Sequence, residues 1–98
     1  MKNSRIIKYN AIFEKEDDGI NIFFPDLPGC LSCAFTEQEA FDMAKEALRL
    51  YLDGEKYDKL PIANNLKNIK LSNKQKRYLI SVEMEIVDGF CIDVHRIK

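Results

Sequence analysis

Three cysteines and a single histidine are the residues in this chain best suited to metal or redox chemistry. Cys30 and Cys33 form a C-x-x-C, and Cys91 and His95 follow in CIDVH, so a three-cysteine, one-histidine zinc set can be written down. Strand geometry opposes it. At ~3.3 Å per residue, Cys91 and His95 of one strand lie roughly 13 Å apart, and Cys30 and Cys33 point to opposite faces. No metal is expected. A redox dithiol is not expected either, because neither cysteine opens a helix whose amides would stabilise a thiolate. The carboxylates of Asp17, Asp18, Asp26 and Asp42 fall at turn and helix-surface positions, and nothing groups two of them around a cation. There is no Gly-rich phosphate loop and no nucleophile elbow, so catalytic residues and cofactors are expected to be none.

The elements that hold these residues must fit a chain of 98 residues, which allows one domain spanning 1–98 with a modest core. Apolar residues make up 46% and charged residues 32%, with no apolar run long enough for a bilayer and no signal-peptide layout. The odd cysteine count argues against a disulfide framework and, with the absence of a membrane segment, points to the cytoplasm. The net charge of -1 conceals an asymmetry: residues 1–60 carry 8 Lys or Arg against 12 Asp or Glu, whereas residues 61–98 carry 7 against 4. The acidic half contains Glu14, Glu16, Asp17 and Asp18; the basic half contains Lys67, Lys70, Lys74, Lys76 and Arg77. Such blocks form either solvated faces or docking surfaces for oppositely charged partners.

Residues Arg5 to Glu14 alternate as a half-buried strand, with Ile7, Tyr9, Ala11 and Phe13 on one side. Glu16 to Gly19 reads as a hairpin turn in which Gly19 supplies a positive φ, and Ile20, Ile22 and Phe24 alternate again in an antiparallel second strand. The stretch FFPDLPGC then forces a corner. Pro25 cannot donate to a ladder, Pro28 fixes its own φ, and Gly29 permits the return into a third strand over Cys30 to Phe35. Thr36 followed by Glu39 is a capping box that starts a helix, Ala40, Ala44, Ala47, Leu48 and Tyr51 recur at helical spacing, and Gly54 stops it. Residues 5–54 thus form a β-β-β-α unit.

A polar linker over 55–77 follows, either containing a turn of helix around Leu66 and Ile69 or mobile. Tyr78 to Val87 is a strand with Ile80, Val82, Met84 and Ile86 on one face. The tail to residue 97 allows two hairpin registers. A two-residue Asp88-Gly89 loop sets Val82 against His95 and Met84 against Asp93, spoiling the apolar face. A three-residue loop of Val87, Asp88 and Gly89 sets Ile86 against Phe90, Met84 against Ile92 and Val82 against Val94, and is preferred despite placing Glu83 against Asp93. Pairing of this last strand with another chain is the remaining option. The fold class expected is therefore α+β, an antiparallel sheet with one main helix.

From about Tyr9 to Gly54 the sequence resembles the N-terminal domain of HicB-type antitoxins. EKEDDGINIFFPDLPGC matches an acidic hairpin, a strand and a corner, with Phe24, Pro25, Asp26, Leu27, Pro28, Gly29 and Cys30 in the corner motif. Thr36 and Glu39 occupy the cap, and Ala44, Lys45, Glu46, Ala47 and Leu48 the helix signature. Cys33, Ala34 and Phe35 depart from the family pattern, which tends to be polar there. The resemblance implies a partial ribonuclease-H-like fold without a nuclease centre. It also implies a partner, the small basic HicA-type ribonuclease toxin, whose action on messenger RNA the antitoxin blocks. Glu14, Glu16, Asp17, Asp18 and Asp26 are the candidate partner-binding residues, since carboxylates suit a surface built for RNA phosphates.

Many relatives also carry a C-terminal DNA-binding module. Residues 88–98 are too few for one, so specific operator binding is not expected, although the basic segment Lys67 to Arg77 suits unspecific phosphate contacts. A homodimer or higher homo-oligomer is expected. The alternative function is a stand-alone homo-oligomeric domain of the same kind without a toxin.

Overall fold

The computed structural model describes residues 3–65, 67 and 69–94. Five strands, β1 (Ser4–Glu16), β2 (Gly19–Phe23), β3 (Leu31–Ala34), β4 (Gln75–Val87) and β5 (Phe90–Ile92), form one sheet in the order β3-β2-β1-β4-β5. Every neighbouring pair is antiparallel. One helix, α1 (Glu37–Leu52), lies on one face, so the architecture is the expected α+β arrangement.

Period-two alternation sends Ile7, Tyr9, Ala11 and Phe13 of β1 toward the helix, and their β4 partners Val82 and Ile80 join them. From the other side α1 presents Ala40, Ala44, Leu48 and Leu52, all fully buried. The two alanines let the helix axis approach the sheet, and the leucines fill the space on either side of it. Phe13, Phe41 and Tyr78 close one end of this core, with ring centroids 4.7 to 5.1 Å apart. Thr36 caps the helix: its hydroxyl accepts from the Glu39 amide at 3.1 Å. Gly54, at φ +87, turns the chain away after Leu52.

The corner ends β2 as expected. Leu27 donates to the Phe24 carbonyl at 2.9 Å and Cys30 to the Leu27 carbonyl at 3.0 Å, two successive turns that bring Phe24, Leu27 and Cys30 into the core. Pro28 and Gly29 stay exposed, and Gly29 takes φ +88. Gly19 is needed for a different reason than the turn chemistry suggests. Its backbone is close to extended, but a Cβ there would stand 2.6 Å from the Ala34 carbonyl oxygen. It is the approach of β3 across β2 that demands glycine.

The hairpin joining β4 to β5 corrects the preferred register. Val87 pairs with Phe90, Ile86 with Cys91 and Glu85 with Ile92, so Asp88 and Gly89 alone form the loop. Their φ values of 53° and 83° are both left-handed, the requirement of the two-residue turn whose twist matches that of its strands. The apolar face is not spoiled, because β5 ends at Ile92 before Asp93 could oppose Met84, and because Cys91 is the side chain delivered to the core. The strand pairs within the chain. His95, which this two-residue register would set against Val82 and which belongs to the zinc set, lies outside the described residues.

The linker is an ordered strap over much of its length. Glu55 accepts from the Cys91 amide at 2.8 Å and Tyr57 donates to the Gly89 carbonyl at 2.8 Å, so its start runs along the outer edge of β5. A single 3-10 turn covers Tyr57–Lys59; the helical turn envisaged around Leu66 and Ile69 involves a residue, Leu66, outside the described set. The Tyr9 hydroxyl donates to the Pro61 carbonyl, whereas Asn10 donates to the carbonyls of Asn64, at 2.9 Å, and Asn65, at 3.3 Å. Tyr9 and Asn10 point to opposite faces of β1. The strap therefore crosses from the helix side of the sheet to its open side, at the stretch of β1 that β2 leaves unpaired beyond Ile12. It rejoins the sheet where Lys15 donates to the Lys74 carbonyl at 2.8 Å.

Candidate functional site

The β1–β2 hairpin gathers four of the five candidate carboxylates at one end of the molecule. Glu14 and Glu16, two apart on one strand, share a face, and Asp17 and Asp18 form the exposed loop. A hydrogen bond with the Glu14 carboxyl, the principal cause, pushes the Glu16 carboxyl above its usual range, with Lys74 pulling the other way. Gln75 donates to Glu14 at 2.7 Å across the β1–β4 pair. Among the described residues no ion pair involves Asp17 or Asp18.

A surface groove of about 810 Å³ opens beside this loop. Its floor is apolar, made by Phe13, Ile20 and Tyr78, and Phe35 stands at its rim with 81% of its surface exposed. Its walls carry both signs of charge: Glu16, Asp17, Asp18 and Glu37 on one hand, Lys15, Lys74 and Lys76 on the other. Lys76 lies 3.9 Å from Glu37, which also accepts from the Tyr78 hydroxyl at 2.8 Å. That hydrogen bond is the main cause of a raised Tyr78 pKa. The acidic and basic blocks of the sequence thus do not form separate faces here. Antiparallel pairing of β1 with β4 interleaves them, leaving Asp17 and Asp18 as the acidic projection.

Asp26 lies elsewhere, beyond the far end of β2. Its two carboxylate oxygens accept from the Asn64 amide at 2.8 Å and the Asn64 side chain at 2.7 Å, so it clamps the strap to the corner. The neighbouring Tyr9 hydroxyl is held neutral by burial first and by the Asp26 charge second, which raise its pKa. Phe24, Pro25, Leu27, Pro28, Gly29 and Cys30 serve the clamp by shaping the corner.

The cysteines do not converge. Cys30 is buried with its thiol 3.6 Å from the Ala47 carbonyl, and burial pushes it up to about 11. Cys91 is buried, and burial raises it too. Cys33 is exposed on the other face. Among the described residues no group of three His, Cys, Asp or Glu side chains is placed to hold a metal ion.

Sequence reasoning missed Phe35, Glu37, Lys74 and Lys76 as neighbours of the acidic loop. Phe35 left one trace, as an aromatic where the family pattern tends to be polar. The lysines left none, because only the β1–β4 register brings them there.

Compared with known families, residues 9–95 match the one described as HicB-like antitoxin of bacterial toxin-antitoxin system. An uncharacterised 14.9 kDa protein from the rep-hol intergenic region of Haemophilus phage HP1 is 33% identical over 76 residues. That alignment covers 76% of this chain and 57% of the phage protein, so the chain spans little more than half of that relative. A UPF0150 protein of Helicobacter pylori is 41% identical over 51 residues, covering 52% of this chain and 71% of the relative. One from Thermoplasma acidophilum is 38% identical over 61 residues, covering 59% and 88%. The match to the family runs through the hairpin, the corner, the capped helix and both C-terminal strands, and on it the chain belongs to the HicB-like antitoxins of bacterial toxin-antitoxin systems.

Proposed function

We propose that this chain is a cytoplasmic antitoxin that neutralises a small HicA-type ribonuclease by covering its RNA-binding or active surface, and that it acts as a binding protein rather than an enzyme. Membership of the antitoxin family supports a toxin partner. The observation that carries the contact surface is the hairpin end. The exposed carboxylates of Asp17 and Asp18, backed by Glu14 and Glu16, project beside an apolar groove with Phe35 at its rim. A toxin surface evolved to hold RNA phosphates is basic, and carboxylates at this spacing compete for the same cations. The ring of Phe35 provides an apolar or cation-π anchor next to them. Asp26 contributes through the strap. The three antiparallel strands, the helix and the further strand agree with a partial ribonuclease-H-like scaffold used for binding. No helix of the described residues is long and apolar enough to cross a membrane.

The test is co-expression with any small basic toxin frame beside the gene, followed by an RNA-cleavage assay with the purified pair. Wild-type chain should form a complex and protect RNA. The double variant D17K/D18K should retain its fold and weaken protection at least tenfold, with a loss that is steeper at low salt. Failure of the wild-type chain to bind or protect would overturn the proposal.

A further inference from the structure

The outer strand β3 is an uncovered edge. Among the described residues it pairs with β2 alone, and the sequence LSCAF over Leu31 to Phe35 contains no charge and no proline. Edge strands are normally protected from pairing by charges, proline, a bulge or a covering segment. Among the described residues β3 has none of these, its four-residue length being the one feature that blunts it, and Leu31 and Phe35 are 68% and 81% exposed.

The ladder fixes which backbone groups point outward. Phe24 donates to the Cys30 carbonyl at 3.2 Å, and that pair shares the register of β2 and β3. Hydrogen-bonded pairs alternate along an antiparallel ladder, so Ile22–Ser32 and Ile20–Ala34 are the bonded ones. Leu31 and Cys33, and Phe35 just past the strand, therefore turn their N–H and C=O groups away from β2. These outward residues are spaced evenly about Cys33.

We infer that β3 pairs with β3 of a second copy of this chain, antiparallel about a two-fold axis through Cys33, joining the two five-stranded sheets edge to edge. In this register Cys33 faces Cys33 of the other copy, and Leu31 faces Phe35 in both directions. Each outward donor meets an outward acceptor, about six hydrogen bonds in all. The exposed apolar side chains at the two ends of the segment come together on the open face of the sheet. A shift by one residue would set outward groups against inward ones, and a shift by two would pair only two of the three outward residues, so this register makes the most bonds. The opposite edge of the sheet is not available for it, because the strap runs along β5. The inference is independent of the toxin reading.

Analytical ultracentrifugation of the isolated chain tests it, together with cross-linking by a short bismaleimide, each arm of which takes one thiol. Cys33 is the exposed thiol, whereas Cys30 and Cys91 are buried. The chain should sediment as a concentration-dependent dimer and cross-link in native buffer, C33S should abolish the cross-link while preserving the dimer, and L31K should weaken the dimer at least tenfold. C33P removes an outward N–H without touching the β2 ladder and should give a folded monomer by circular dichroism. A chain that stays monomeric at its highest soluble concentration would overturn the inference. So would a dimer indifferent to L31K, or a monomer whose β3 variants lose only toxin binding, since the edge would then belong to a toxin strand.

Discussion

The two long edges of this sheet are finished differently. On the β5 side the chain returns after the helix and lays residues Gly54 to Tyr57 against the outer strand, so that its carbonyls and amides have partners. On the β3 side a short, uncharged, apolar strand faces outward with nothing against it among the described residues. The difference shows how a small protein spends a linker. About twenty residues between α1 and β4 complete one edge and cross the sheet beside β1, whereas no described residue pairs with the outer side of β3. The covered edge belongs to stability, and the uncovered one is free for association.

Breaking the covered side should have the largest effect. Leu52 is fully buried where the helix hands over to the strap, and Leu52→Ala should cost about 3 kcal/mol in a urea melt by leaving a cavity under Gly54. On the uncovered side Gly19→Ala is the corresponding lesion. Its Cβ meets backbone rather than a flexible side chain, so β3 must move away from β2, at a cost of about 2 kcal/mol and with faster hydrogen exchange confined to β2 and β3. Asp26→Ala, which releases Asn64 from the corner, should cost about 1 kcal/mol. A double-mutant cycle with Asn64→Ala should show that the two losses are not additive. Leu31→Lys should change stability by less than about 0.5 kcal/mol, because the side chain touches little in the monomer. Its effect should appear in self-association alone.

A pH titration sharpens the same contrast. Burial raises the Cys30 thiol from the ordinary 9.0 to about 11 in the folded chain, so the folded state holds its proton more tightly than the unfolded state. Stability from this group is fully present below pH 9 and is lost as pH rises toward about 11. Cys91 and Tyr9, also raised by burial, act in the same direction. Denaturation midpoints should fall above pH 9, and Cys30→Ala should flatten part of that decline.

What the sequence made legible was local. Proline, glycine and the Thr36 cap each act within a few residues, so the corner, the helix and the strands could be placed from chain chemistry. The long alternations of β1 and β4 carried their own signal. Three things were not legible because each depends on contacts distant in sequence. The strap has no periodicity, and its anchors, Tyr9, Asn10 and Asp26, lie roughly forty to fifty residues away. The β4–β5 register turned on an apolar-matching argument that assumed a longer final strand, whereas the Asp88-Gly89 turn settled it locally. The candidate site was half legible: the four hairpin carboxylates were named, but not their neighbours Lys74, just before β4, and Lys76, on it, nor the internal duty of Asp26.

The pairing of β1 with β4 also bears on how the molecule comes into being. Ser4 meets Glu85 and Glu14 meets Gln75, so the innermost strand waits for a partner synthesised more than sixty residues later. Loop closure over that span is slow compared with forming the hairpin and the helix. During translation the first three strands and α1 can gather, but β1 keeps one flank bare until β4 leaves the ribosome, and that interval is when the nascent chain is most open to mispairing.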